Sequence, residues 1–240
     1  MSEFDKYEKE IAAKIAEMEF NGSSKIASEL VNYMKGILEW NEKINLTAIK
    51  IPGEFVIKHF FDSFPAATLP EFKRAETAID VGTGGGFPGV PLAALCPEKK
   101  FVLADSLAKR LRVIDAVALD SGITNITTVH GRAEDLGRNP DYRETFDVCV
   151  SRAVASLPVL LEYCLPFVKV GGTFIAYKGP EAEEEIKISS AALKKLGGKI
   201  DRIVDASDGT YSHNLIVITK SSSTPKAYPR KAGTPSKTPL

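Results

Sequence analysis

Residues 79–89 read Ile79-Asp80-Val81-Gly82-Thr83-Gly84-Gly85-Gly86-Phe87-Pro88-Gly89. An apolar strand meets an acidic residue, then a glycine-dense turn, then a helix opened by Pro88. Glycine lacks a Cβ and tolerates positive φ, so such a turn lets backbone approach a nucleotide-like ligand closely. The dinucleotide fingerprint Gly-x-Gly-x-x-Gly wants its third glycine where this chain has Phe87. The spacing is instead Gly82-x-Gly84-x-Gly86, with Asp80 just upstream.

Outward from this turn the chain alternates strand and helix. Strands are expected at 77–81, 100–104, 125–130, 146–150 and 173–178, and helices at 88–95, 107–121, 157–168 and 181–196. Two further strands, 199–205 and 213–219, follow with no helix between them. Upstream, residues 3–20 place Tyr7, Ile11, Ile15 and Met18 at helical spacing, and Asn21-Gly22 ends that helix. A second helix is expected over Ser24–Glu42, a turn at Asn45-Leu46-Thr47, and a third helix over Glu54–Ala67. After Lys220 the composition turns to Ser, Thr, Pro and basic residues, which predicts an extended tail with little core of its own.

The 240 residues are 44% hydrophobic and 26% charged, an ordinary globular balance and enough for one good core. Zero formal net charge argues against a protein that coats nucleic acid. The charge is uneven, however: residues 221–240 carry Lys226, Arg230, Lys231 and Lys237 and no acid. Such a segment can bind phosphate backbones and order on binding, or serve as a solubilising disordered end. Cys96, Cys149 and Cys164 lie in apolar segments without metal-ligand spacing and read as reduced core residues, so no metal is expected and the location is expected to be cytoplasmic. The charged start Met1-Ser2-Glu3 has no signal-peptide core, and no apolar run is long enough to suggest a membrane.

The glycine spacing resembles motif I of class I S-adenosylmethionine-dependent methyltransferases. A sulfonium cofactor has no pyrophosphate that needs a helix N-terminus. The closing strand pair suits that architecture, in which the last strand inserts antiparallel, whereas a dinucleotide fold prefers another parallel unit. The expected fold is therefore α/β, Rossmann-like, with a seven-stranded, mostly parallel sheet.

Asp105 ends the second strand, where an acid can accept hydrogen bonds from ribose hydroxyls. It can equally cap the next helix, but Ser106 can take that task and leave Asp105 for the ligand. Ala133-Glu134 follows the third strand and can reach an adenine edge, or simply begin a short helix. Ser151-Arg152-Ala153 ends the fourth strand. Arg152 can orient a guanine edge, a phosphate or a cofactor carboxylate, or form a structural ion pair. Lys178 ends the fifth strand and can bind RNA phosphate or stand solvated. Arg152 and Lys178 are the substrate-positioning candidates.

Neither an Asn/Asp-Pro-Pro-aromatic segment nor a Pro-Cys nucleophile follows the fourth strand. An acceptor with a ready lone pair needs neither, because no proton must leave before attack. No catalytic acid or base is identifiable. His59 and Asp62 share a helix face and can touch substrate or, as a structural pair, lock the helical layer onto the sheet, and Trp40 reads as a core anchor rather than a base-stacking platform.

Several segments together resemble the bacterial glucose-inhibited division protein B family of small-subunit rRNA guanine-N7 methyltransferases. They are Trp40 through Thr47, Lys58 through Ser63, Asp80 through Gly89, Asp105 through Arg110, Arg132-Ala133-Glu134, Ser151 through Ala155, and Tyr228-Pro229-Arg230-Lys231. The resemblance implies methyl transfer from S-adenosylmethionine to guanine N7 in 16S rRNA or a 30S particle, with S-adenosylhomocysteine as product. It places cofactor contacts at Gly82, Phe87, Ala133, Glu134 and Arg152, with Gly84, Gly86, Asp105 and Ser106 in the same cradle. The expected organisation is a helical extension over 1–70, a methyltransferase core over 71–220 and a basic tail over 221–240, in a monomer. The competing readings are a methyltransferase for a small molecule or protein, and a non-catalytic RNA-binding module on the same fold.

Overall fold

The computed structural model describes residues 4–207 and 213–240. Residues 1–3, including the expected first residue of the N-terminal helix, lie outside the described residues. Helices α1 (Asp5–Glu17) and α2 (Ser23–Asn41) form the N-terminal layer, and Gly22 at φ 75° starts α2. Ile11 and Ile15 of α1 and Ile26, Leu30, Met34 and Ile37 of α2 are buried, as their helical spacing dictates.

The expected helix Glu54–Ala67 is broken into pieces. Short α3 (Pro52–Phe55) runs into a π-helical turn, Val56–Phe61, where the Asp62 amide donates to Ile57 O at 3.1 Å. Pro65, which has no N–H to continue the ladder, starts α4 (Pro65–Thr68), and Pro70 starts α5 (Pro70–Arg74).

The remainder is a layered α/β sheet. Its strands are β1 (Thr77–Val81), β2 (Lys100–Asp105), β3 (Ile126–His130), β4 (Phe146–Arg152), β5 (Val168–Lys178), β6 (Gly198–Asp205) and β7 (Asn214–Lys220). The order is β3-β2-β1-β4-β5-β7-β6, with β7 antiparallel to both of its neighbours. The helices are α6 (Gly89–Leu95), α7 (Ala108–Ser121), α8 (Ala133–Leu136), α9 (Leu157–Cys164), α10 (Ala182–Lys187) and α11 (Ser190–Leu196), with α12 (Thr234–Lys237) in the tail. The expected helix 157–168 stops early because Pro166 follows, leaving a 3-10 turn and a longer β5. The expected helix 181–196 divides where Ser189 Oγ donates to Glu185 O at 2.6 Å, a side chain competing with the helical ladder.

Alternating residues of each strand feed opposite faces of the sheet. Leu215 and Val217 enter the core shared with α1, α2, α6 and α7, while Ile216 and Ile218 enter the core shared with α9 and α11. Gly36 lets α2 approach α7 closely, since a Cβ there would lie 2.5 Å from Val117 Cγ1. Trp40 is not the expected core anchor: it is 39% exposed, with Lys43 over its ring.

The tail also departs from expectation. It is docked against the sheet's α9 side, and Thr224, Pro229 and Pro235 are buried. Buried Lys220 pins its root, donating to Leu165 O at 2.6 Å and Thr224 Oγ1 at 2.8 Å and pairing with Glu144 at 3.0 Å. No helix among the described residues is long and apolar enough to cross a membrane.

Candidate active site

The sheet order reverses between β1 and β4, and their carboxyl ends open a crevice there. A cavity of about 600 Å³ occupies it. Its floor is the glycine turn, which the amides of Gly82 and Thr83 tie to Ala104 O of β2 at 2.8 and 3.1 Å. Gly84 adopts φ 60°, and nothing lies within 4 Å of where its Cβ would be. A side chain there would be strained and would fill the cavity.

Gly86 lines no part of the cavity. Its missing Cβ makes room for Tyr33 Oη, 2.3 Å from the Cβ position, and that hydroxyl donates to Gly85 O at 2.9 Å. Gly86 thus seats the turn on α2. Beneath it, Asp80 Oδ2 accepts from Thr83 Oγ1 at 2.6 Å and Gly89 N at 2.9 Å, while Oδ1 has no partner among the described residues. Burial pushes the Asp80 carboxyl up to about 6, against the hydrogen bonds from Thr83 and Gly89.

Asp105 and Ser106 line the cavity. Asp105 Oδ2 accepts from Gly84 N at 2.9 Å, and its Oδ1 accepts from Leu107 N at 2.8 Å. Ser106 makes no side-chain cap for α7, so the expected division of labour is corrected: Asp105 holds both the glycine turn and the helix start. The reason is geometric, because the last residue of β2 lies beside the β1 turn and reaches both amides.

One end of the cavity is built around Arg152. Its Nη1 donates to Asp62 Oδ2 at 2.6 Å and Lys58 O at 3.2 Å, and its Nη2 donates to His59 Nδ1 at 3.3 Å. A guanidinium only donates, so His59 carries its proton on Nε2 and gives it to Thr47 Oγ1 at 2.7 Å. Thr47 is placed by Asn41, whose Oδ1 accepts from the amides of Leu46 and Thr47. The His59 ring stacks on Phe87, with centroids 4.1 Å apart and planes at 3°. Burial, then the Arg152 and Lys58 charges, push His59 down to about 3, so the ring is neutral at neutral pH. The lock expected of His59 and Asp62 is present, and what it locks is Arg152. Ala153 then adopts φ 57°, and Val154 covers Gly82, where a Cβ would lie 2.5 Å from Val154 Cγ2.

Lys178 lines an adjoining cavity of about 440 Å³ that shares His59, Arg152 and Ala153 with the first. Its Nζ donates to Ala155 O at 2.7 Å and to both Glu185 oxygens, at 3.0 and 2.7 Å. Its charge is already paired.

At the opposite end lie Ala133, Glu134, Tyr163 and Ser236. Glu134 is buried, and its Oε1 accepts from Gly233 N at 2.8 Å. The tail residue Arg230 is committed to buried Glu162, through Nε at 2.9 Å and Nη2 at 2.7 Å. It is not a free phosphate-binding cation. Tyr163 and Ser236 carried no signal as site residues, since each reaches the wall only through tertiary packing. No group of residues suited to hold a metal ion occurs among the described residues.

The model of the family described as GidB, rRNA small subunit methyltransferase G, matches residues 26–215. The ribosomal RNA small subunit methyltransferase G of Clostridium novyi (strain NT) is 47% identical, over 96% of this chain and 95% of that protein. Its namesake in Desulfitobacterium hafniense (strain Y51) is 51% identical over 87% of each. Among solved structures, Aeropyrum pernix fibrillarin with natively bound S-adenosyl-L-methionine aligns with a TM-score of 0.50 at 16% identity, covering 66% of this chain and 76% of that one. The Methanococcus jannaschii fibrillarin pre-rRNA processing protein aligns with a TM-score of 0.50 at 19% identity, covering 64% and 70%. These two share the fold. The chain therefore belongs to the GidB family of rRNA small subunit methyltransferase G, as an S-adenosylmethionine-dependent rRNA methyltransferase on the class I fold.

Proposed function

We propose that the chain methylates N7 of one guanine in 16S rRNA, with the crevice between β1 and β4 as the site of transfer. The observation that carries this reading is the cavity itself. Glycine backbone forms its floor, Asp105 stands beside that floor, Glu134 lies at one end, and a neutralised arginine closes the other. Its volume suits a nucleoside-sized cofactor, and the open Cβ position of Gly84 leaves backbone free for close approach.

Gly82, Gly84 and Phe87 bear the centre of the cofactor, with Gly86 supporting the turn from behind. Asp105 and Ser106 hold the ribose, Ala133 and Glu134 the adenine, and Arg152 the end where transfer occurs. When bound, S-adenosylmethionine would supply an electrophilic methyl to the guanine N7 lone pair, with S-adenosylhomocysteine as the leaving product. N7 is an accessible acceptor in looped RNA, and the chain's residues need move no proton. Asp62 offsets the Arg152 charge, and His59 stays neutral, so this end does not repel a cationic sulfonium. Arg152 then positions the acceptor across the adjoining cavity, where Lys178, already committed to Glu185 and Ala155 O, forms part of the wall.

Residues 1–70 and 221–240 serve in this reading as extensions of a core over 71–220, in a cytoplasmic monomer. The test is transfer of labelled methyl from S-adenosylmethionine to 16S rRNA and to 30S particles, followed by nucleoside analysis. Label in 7-methylguanosine at one position is the expected result. Label in another nucleoside, or in neither RNA substrate, overturns the reading.

A further inference from the structure

We infer that the C-terminal segment Arg230–Ser236 is part of the cofactor site and holds the adenosine end of S-adenosylmethionine. The inference rests on the reading of the cavity given above. Composition alone leaves this segment as a basic arm for RNA or a solubilising end, but its contacts point inward. The Glu162 carboxylate on α9 is 1% exposed, and a buried carboxylate needs a charge partner and hydrogen bonds. Arg230 supplies all of these: two guanidinium nitrogens, plus its own backbone amide to Oε1 at 2.7 Å. Its Nη2 also donates to Thr238 O at 2.8 Å, so the pair fixes the chain beyond it.

The approach to this anchor is clamped as well. Arg143 donates to Thr224 O at 2.6 Å and Tyr228 O at 3.0 Å. From the anchor, Gly233 turns at φ 80° and gives its amide to Glu134 Oε1, the carboxylate assigned to adenine. Ser236 then stands in the cavity wall beside Glu134 and Tyr163. An arm that only attracts phosphate has no use for three fixed points. These contacts instead orient Glu134 and finish the cavity wall at the end the sheet leaves open. Gly233 is thus a positioning residue, and Ser236 a binding one.

The experiment measures binding of S-adenosylmethionine, S-adenosylhomocysteine and methylthioadenosine, which keeps the adenosine and lacks the amino acid. Parent chain, Ser236→Trp and Arg230→Met are compared at full length. Ser236 is exposed, so Ser236→Trp keeps the fold while filling the adenosine end. It should weaken all three ligands by about tenfold or more, with the melting temperature and the affinity for a 16S rRNA fragment unchanged. Arg230→Met should weaken all three as well and also lower the melting temperature. The inference is overturned if Ser236→Trp binds S-adenosylmethionine as the parent does. It is also overturned if S-adenosylmethionine binding suffers and methylthioadenosine binding does not. A parent chain that binds none of the three overturns the cavity reading itself, and the inference with it.

Discussion

The two ends of the cavity are closed by opposite ends of the chain, through different physics. Beside β4, side chains do the work. Asp62 and His59 from the helical layer grip Arg152, and His59 stacks on Phe87. Beside β3 the chain itself is the closure: a backbone amide of the tail meets Glu134, anchored by a buried ion pair at Glu162. The α/β core supplies the floor, Asp105 and the Arg152 and Glu134 side chains that these flanking segments hold in place. A common fold thus acquires a particular site from its flanking segments, which is how one scaffold can host many reactions.

The β3 end should be the more fragile. Arg230→Met leaves Glu162 buried without its cation and should cost about 3–5 kcal/mol in urea unfolding. Adding Glu162→Leu should recover most of that loss; if it recovers none, the tail is not held by this pair. At the β4 end, Arg152→Ala should act first on chemistry, lowering kcat/KM for methyl transfer by about a hundredfold through lost positioning. A fall in melting temperature with unchanged kcat/KM would mean that the cluster is purely structural.

The floor between the ends should respond less. Gly84→Ala forces a Cβ onto φ 60° and should cost about 1–2 kcal/mol of stability, with weaker cofactor binding because the new methyl enters the cavity. Asp105→Ala should weaken cofactor binding too, and unchanged affinity would remove its ribose assignment.

The pH slopes, each no more than about 1.4 kcal/mol per pH unit, have opposite signs. His59 falls from its ordinary 6.5 to about 3 on folding. Its contribution is complete above 6.5 and is lost as pH falls toward 3. Asp80 rises from 3.8 to about 6, so its contribution is complete below 3.8 and is lost as pH rises through 6. His59→Gln should therefore flatten the acid limb of the stability profile, and Asp80→Asn the limb between 4 and 6. Denaturation of each variant across pH 3–8 tests both signs.

Much of this was legible in local sequence. The glycine turn follows a strand, Asp105 and Arg152 each end one, and the paired last strands separate this sheet from a dinucleotide fold. The π-helical turn was not legible, because widening one turn by a residue over Val56–Phe61 leaves the local helical pattern of the sequence unchanged. Nor was the fate of the basic tail. Lys226, Arg230, Lys231 and Lys237 look alike in composition, yet Arg230 is committed to Glu162, and Glu162 sits in an otherwise apolar helix segment. Asp105 lines the cavity but is not unencumbered there, and the sequence gives no sign of this, since its bond to Gly84 N depends on how β2 lies beside β1.

What the sequence determined by itself was whatever neighbouring residues settle among themselves. Period, punctuation and glycine spacing act over a few residues, through φ/ψ preference and which side of an element faces the core. Tertiary structure decided who meets whom. Asp62 and Arg152 are 90 residues apart, and Glu134 and Gly233 are 99 apart. Contacts at such range form only after the sheet and its layers are packed, and burial then makes each charge take the partner within reach.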